Sequence, residues 1–128
     1  MIRIDKLTKT YGDEQVLQNI SVTFEPGNIY GLIGANGCGK TTLMRCVCGF
    51  SRPTSGTVYV ADKQIGKDVD FAPSTGIIIE NPGFLPHYSG LRNLLILASI
   101  SGKATKERAM EVMKLVGLDP DMTKPVGK

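Results

Sequence analysis

Eight consecutive residues, Gly34-Ala35-Asn36-Gly37-Cys38-Gly39-Lys40-Thr41, set glycines, a lysine and a hydroxyl at the G-x-x-x-x-G-K-[ST] spacing that holds phosphate. The glycines allow backbone angles closed to other residues, so successive N–H groups can turn inward as a nest for an anion. A helix starting at Lys40 adds about half a positive charge at its N-terminus. Lys40 is placed to reach β- and γ-phosphates, Thr41 to offer its hydroxyl to Mg²⁺, and Thr42 to donate to the α-phosphate. The ligand implied is a nucleoside triphosphate with Mg²⁺. An ordinary Gly-rich turn is the competing reading, but at average composition a chain of this length matches the pattern by accident on the order of a few times per thousand. Cys38 lies inside the nest, next to a helix start and Lys40, an environment of the kind that activates thiols. It is either a spectator, since the loop works through its backbone, or a thiol whose alkylation blocks the nucleotide.

Such a loop needs a strand before it and a helix after it. The run Ile29-Tyr30-Gly31-Leu32-Ile33 is apolar apart from its glycine and predicts a strand buried on both faces. From Lys40 to Gly49 the pattern predicts a helix buried against a sheet. Leu43, Cys46, Val47 and Phe50 fall at i, i+3, i+4 and i+7, and Met44 and Cys48 are also apolar. Upstream, Ile2 and Ile4 open a half-buried strand that ends near Tyr11-Gly12-Asp13, and a second runs through Val16, Ile20, Val22 and Phe24 to the Glu25-Pro26-Gly27-Asn28 turn. Downstream, Thr57 to Val60 reads as a strand and Gly76 to Glu80 as a second buried strand, broken by Asn81-Pro82-Gly83. Ser89 caps a helix that runs to Ser101 and stops at Gly102. Thr105 caps the next, with Ala109, Val112, Met113 and Val116 as its apolar stripe and Gly117 and Pro120 as its stop.

With 128 residues, 41% of them hydrophobic, the chain suits one domain with a real core. A net charge of +3, spread from Arg3 to Lys128, gives no footprint for nucleic acid. Apolar runs such as Leu94 to Ile100 are too short for a membrane span and the N-terminus does not read as a signal peptide, so the expectation is a soluble, cytosolic chain. Cys46 and Cys48 lie two apart on a predicted helix, so their side chains diverge and both are expected to be small buried hydrophobes. His87, the single histidine, reads as an exposed loop residue.

The stretch LTKTYGDEQVLQNISVTFEPGNIYGLIGANGCGKTTLMRCVCGFSRPTSGTVYV resembles the ATP-binding cassette, the nucleotide-binding subunit of ABC transporters, in the order of its parts: an aromatic after the first strand, the VLQNIS hairpin, the phosphate loop, then a Gly-rich turn into a strand. GIIIENPGFLPHYSGLRNLLILASISG and VMKLVGLDPDMTKPVGK resemble the subgroup that serves exporters of the bacitracin and antimicrobial-peptide type. The implied fold is α/β: the N-terminal portion of an ABC-type P-loop NTPase, with a small antiparallel β part, a P-loop strand-helix unit and the start of a helical subdomain. Residues 1–84 are the core part with the loop, and 85–128 begin the helical subdomain.

By the same resemblance ATP is the nucleotide, Tyr11 stacks on adenine and Val16 packs near the ribose. Glu80 stands where most of the family has a glutamine that senses γ-phosphate and Mg²⁺, and a carboxylate there is a hard Mg²⁺ ligand and a stricter metal sensor. A carboxylate that merely ends a strand is the plain alternative. The 80–89 loop faces a transmembrane permease subunit, a second nucleotide-binding subunit completes the assembly, and the location is peripheral to the inner face of the cell membrane. The family's signature motif, Asp-Glu strand end and switch histidine are not among the 128 residues. The chain by itself is therefore expected to bind Mg-nucleotide without hydrolysing it, to contain no catalytic residue, and to self-associate through apolar surface left uncovered. Two other readings stay open: a small P-loop phosphotransferase with Glu80 as its metal-binding residue, against which the arginines are scattered, and a non-catalytic binding piece.

Overall fold

The computed structural model describes residues 1–80, 82–102 and 105–127. The chain divides into two compact units, Met1–Ile79 and Glu80–Lys128.

In the first unit, β1 (Ile2–Tyr11) and β2 (Glu14–Phe24) form a hairpin across the predicted turn. With β3 (Ser55–Val60) and the two-residue β4 (Lys63–Gln64) they make an antiparallel sheet in the order β2-β1-β3-β4. A strictly alternating strand would send Ile4 and Leu7, three apart, to opposite faces. Both are fully buried because the ladder shifts between them. Lys6 takes a φ of +49°, and Asn19 on β2 does the same, also at +49°. The backbone N–H groups displaced from the ladder are satisfied by hydroxyls: Lys6 N–H donates to Ser21 Oγ at 2.9 Å and Asn19 N–H to Thr8 Oγ1 at 3.1 Å. Ile4, Leu7, Leu17, Val58 and Val60 thus share one face, and α1 (Lys40–Cys48) covers it with Leu43 and Cys46.

Two predicted strands do not form. Residues 29–33 and 76–80 belong to no ladder, and Ile29, Ile33 and Ile78 are 103%, 96% and 80% exposed, so neither run is the buried strand its composition predicts. A strand needs a partner for its N–H and C=O groups, and no described segment pairs with either run. Apolar composition reports that a segment suits a sheet interior but does not supply the neighbour. Residues from both runs, among them Tyr30, Leu32, Ile77 and Ile79, line an open apolar groove of about 350 Å³ with Met44 and Val47 of α1. The helix stripe is correspondingly narrower than predicted: Met44 is exposed, and so is Phe50, which packs edge-on to Phe71 with centroids 5.8 Å apart.

The second unit holds α2 (Gly90–Ser101) and α3 (Lys106–Leu115), capped as expected: Arg92 N–H donates to Ser89 Oγ at 3.4 Å and Arg108 N–H to Thr105 Oγ1 at 3.3 Å. Ala109 and Met113 are buried, whereas Val112 and Val116, the other half of the predicted stripe, are exposed. Asn93, the buried polar residue of the described chain, organises the loop ahead of α2. Its Oδ1 accepts from Leu85 N–H at 2.7 Å, and its Nδ2 donates to the carbonyls of Leu85, Tyr88 and Ser89 at 3.1, 3.3 and 3.1 Å. Asn81, in the predicted break, lies outside the described residues.

The bulge makes a specific demand on β3. Gly56 has a φ of +82°, and a Cβ there would run into the Lys6 carbonyl oxygen and lie 2.6 Å from that of Asp5. Gly56→Ala is expected to lower the unfolding free energy by roughly 2 kcal/mol or more. Gly66→Ala, at a φ of +79° in open space, is expected to lose only about 1 kcal/mol. Urea unfolding of the two variants beside the parent chain measures the difference.

Candidate functional site

The 34–42 loop is held from behind by β2 and closed at the front by its own lysine. Gly39, at a φ of +93°, is the N-cap of α1, and a Cβ there would lie 2.8 Å from Leu17 Cδ2 and 3.0 Å from the Val16 carbonyl oxygen. Only glycine allows both that conformation and that approach. The helix it opens has no side-chain cap and no acidic residue in its first turn, so its orphan N–H groups and partial positive charge face the loop without an internal anion. Lys40 Nζ reaches across the mouth and donates to the carbonyls of Gly34 at 2.7 Å and Ala35 at 2.6 Å. An ammonium has three donors, so the lysine fixes the ring of the loop and keeps one donor for a phosphate oxygen, with only a weak 3.8 Å contact to Cys38 Sγ competing for it.

Val16, Asn36, Gly37, Gly39, Lys40, Thr41 and Thr42 line one cleft of about 220 Å³. This set brings together most of the sequence-predicted nucleotide ligands. Gly34 and Ala35 serve through their carbonyls, and Cys38 is exposed. Tyr11 does not line this cleft: its hydroxyl shares a 3.3 Å hydrogen bond with Ser51 Oγ, and Lys9 Nζ stands 4.6 Å from its ring centroid. Glu80 opens the second unit with a φ of +59°. His87 is exposed, as predicted. Among the described residues no group of three His, Cys, Asp or Glu side chains gathers to hold a metal, and the donor the loop itself offers Mg²⁺ is the Thr41 hydroxyl, beside phosphate oxygens and water. The cleft therefore fits a phosphate chain with its cation: an uncapped helix N-terminus, the Lys40 ammonium and the threonine side chains of Thr41 and Thr42.

Two features escaped the sequence reading. The Lys40 bridge to its own loop carbonyls leaves no trace in residue types. Lys9 was legible in principle, since it lies two residues from Tyr11 and so on the same side of β1.

Loop, helix and fold together define a P-loop nucleotide-binding protein. The ABC transporter family model matches residues 17–128, and the chain belongs to that family. It is 44% identical over 93% of its length to the uncharacterized ABC transporter ATP-binding protein YybJ of Bacillus subtilis (strain 168), spanning 55% of that protein. It is 36% identical over its whole length to the bacitracin transport ATP-binding protein BcrA of Bacillus licheniformis, spanning 42% of it. It is also 36% identical over 91% of its length to the Fe(3+) ions import ATP-binding protein FbpC of Brucella suis biovar 1 (strain 1330), spanning 34% of it. The chain thus spans about half or less of these relatives. Among solved structures, the dimeric ATP-binding cassette MJ0796 in a post-hydrolysis state with ADP and Pi matches with a TM-score of 0.79 at 21% identity, over 98% of this chain and 61% of that one, which establishes the shared fold.

The three thiols sort by burial. Burial pushes Cys46 above the ordinary thiol range, a rise only partly offset by a hydrogen bond with Ser51 and the charge of Lys9, and burial does the same to Cys48. At neutral pH a maleimide is expected to label Cys38 alone in the folded chain and all three cysteines in denaturant, with the buried pair gaining reactivity only as pH rises. Mass spectrometry of the labelled chain, with and without Mg-ATP, reads both the sorting and protection of Cys38 by nucleotide.

Proposed function

We propose that this chain is the nucleotide-holding part of an ABC transporter subunit, which binds Mg-ATP in the 34–42 loop, and that in the whole protein binding and hydrolysis drive transport in the export direction. The observation that carries the reading is the loop: an uncapped helix N-terminus, a lysine whose third donor meets only the Cys38 Sγ at 3.8 Å, and Thr41 on the same cleft. Gly34, Ala35, Asn36, Gly37, Cys38, Gly39, Lys40, Thr41 and Thr42 surround the phosphates and Thr41 takes Mg²⁺. Val16 packs by the ribose, supported by its place on the cleft, and Tyr11 stacks on adenine, supported by its place in the family's pattern. Glu80 tunes the Mg²⁺ dependence, supported by that same pattern and by the hardness of a carboxylate oxygen.

Export is supported by the 76–102 and 112–128 stretches. A bacitracin transport relative and an iron import relative share the same 36% identity, so the weight falls on those stretches and not on overall similarity. The 80–89 loop meets a permease, and a second nucleotide-binding subunit completes the assembly at the inner face of the membrane. No helix among the described residues is long and apolar enough to cross a membrane. Alone, the chain holds nucleotide without turnover, because the family's Asp-Glu strand end and switch histidine are not among its residues, and a positioned base supplies about 10²–10⁴-fold of rate.

Calorimetry is expected to detect Mg-ATP binding that Lys40→Ala weakens by roughly ten- to a hundred-fold, with phosphate release from the parent chain no higher than from the variant. Unchanged affinity in Lys40→Ala removes the reading. In the full-length subunit, Glu80→Gln is expected to flatten the Mg²⁺ dependence of nucleotide binding. We further propose that the exposed runs 29–33 and 76–80 drive self-association. Sedimentation is expected to give species heavier than the 13.8 kDa monomer as concentration rises, and a clean monomer throughout refutes it.

A further inference from the structure

We propose that Lys9 is a positioning residue that presets the ring of Tyr11 for base stacking; this rests on the reading of Tyr11 as the adenine platform. Lys9 is half-buried, its ammonium donates to the Arg52 carbonyl at 2.7 Å, and from that anchor it stands 4.6 Å from the Tyr11 ring centroid. The far end of the ring is fixed separately, by the hydrogen bond between the Tyr11 hydroxyl and Ser51 Oγ, and Ser51 in turn donates its N–H to the Arg45 carbonyl of α1 at 3.2 Å. The ring is therefore held at its tip by Ser51 and on one face by Lys9 of β1, and because Lys9 is itself anchored on Arg52, both restraints run back to one turn, Ser51-Arg52, at the end of α1.

Two consequences follow from that geometry. With one face under a cation, a base can stack only on the other. With the side chain ordered in advance, binding a base does not carry the entropy of fixing it. Neither effect touches a ligand made of phosphate alone. The same stretch of β1 is tied to the 51–55 turn without the Lys9 amine, through Thr54 N–H to the Thr8 carbonyl at 2.9 Å and Thr10 N–H to Thr54 Oγ1 at 3.0 Å, so removing the ammonium leaves the strand in place.

The test compares Mg-ATP with inorganic triphosphate and Mg²⁺ by calorimetry, on the parent chain and on Lys9→Met, Lys9→Arg and Tyr11→Ala. Lys9→Met is expected to weaken Mg-ATP roughly five-fold and leave triphosphate unchanged, Lys9→Arg to keep the parent affinity for both, and Lys9→Met to add nothing in the Tyr11→Ala background. An equal loss for both ligands makes Lys9 a scaffold residue of the loop and overturns the inference, as does an unchanged affinity for Mg-ATP. If the parent chain binds triphosphate as tightly as ATP, the adenine platform itself is wrong; if it binds neither, the phosphate site is wrong; each removes the inference along with its premise, and the two failures are read from different titrations.

Discussion

Leu7 is completely buried, and it reaches that position only because β1 gains a residue at Lys6. The irregularity is double, since β2 bends its backbone in the same way at Asn19. Each left-handed non-glycine residue costs about 1–2 kcal/mol, whereas full burial of a side chain such as Ile4 or Leu7 stabilises by about 1.5–3 kcal/mol. With two such residues against one further buried side chain the terms are of similar size, so the arrangement depends on the displaced amides staying satisfied, which is the work of two small hydroxyls, Ser21 and Thr8. Everything toward the site leans on this hairpin. Leu17 enters the core from β2 and meets Gly39, Gly39 starts α1, and α1 sets the direction in which the phosphate loop's amides point.

The loop keeps its form although the strand expected in front of it is absent. Residues 29–33 run without a ladder, yet the loop is gripped by Leu17 and Val16 on one side and bridged by Lys40 on the other. The site and the apolar groove of the first unit therefore answer to different forces. The site is a matter of local hydrogen bonds and close glycine contacts. The groove and the run beside it are unfinished burial, with Ile78 on the groove and Ile29 and Ile33 on the 29–33 run in water, each forgoing about 1.5–3 kcal/mol.

What could be read from the residues follows that same division. The loop, the caps at Ser89 and Thr105, the stop at Gly102 and the burial of Cys46 and Cys48 are local consequences of side-chain chemistry, and each stands where the sequence places it. The runs 29–33 and 76–80 misled because a buried strand is a property of a pair, and composition describes one member. The bulge at Lys6 went unread, although Ile4 then Leu7 breaks the alternation, and nothing in the spacing says which hydroxyls would serve it. Asn93 reads from sequence as an ordinary polar residue in an apolar helix, and its four bonds to the 85–89 loop depend on how that loop folds back.

The helix behind the loop is nine residues long, is flanked by glycine at both caps, and has neither a capping side chain nor an early carboxylate. By the usual rules so short and bare a helix is a marginal one. A bound phosphate chain supplies what the sequence withholds, acceptors for the first N–H groups and negative charge at the positive end. On the proposed function, the nucleotide would in that sense be a structural residue of α1 that arrives from solution. A ligand at a hundred times its dissociation constant adds about 2.7 kcal/mol to the folded state, so under that proposal the nucleotide level would become one of the terms that set how much of this chain is folded at all.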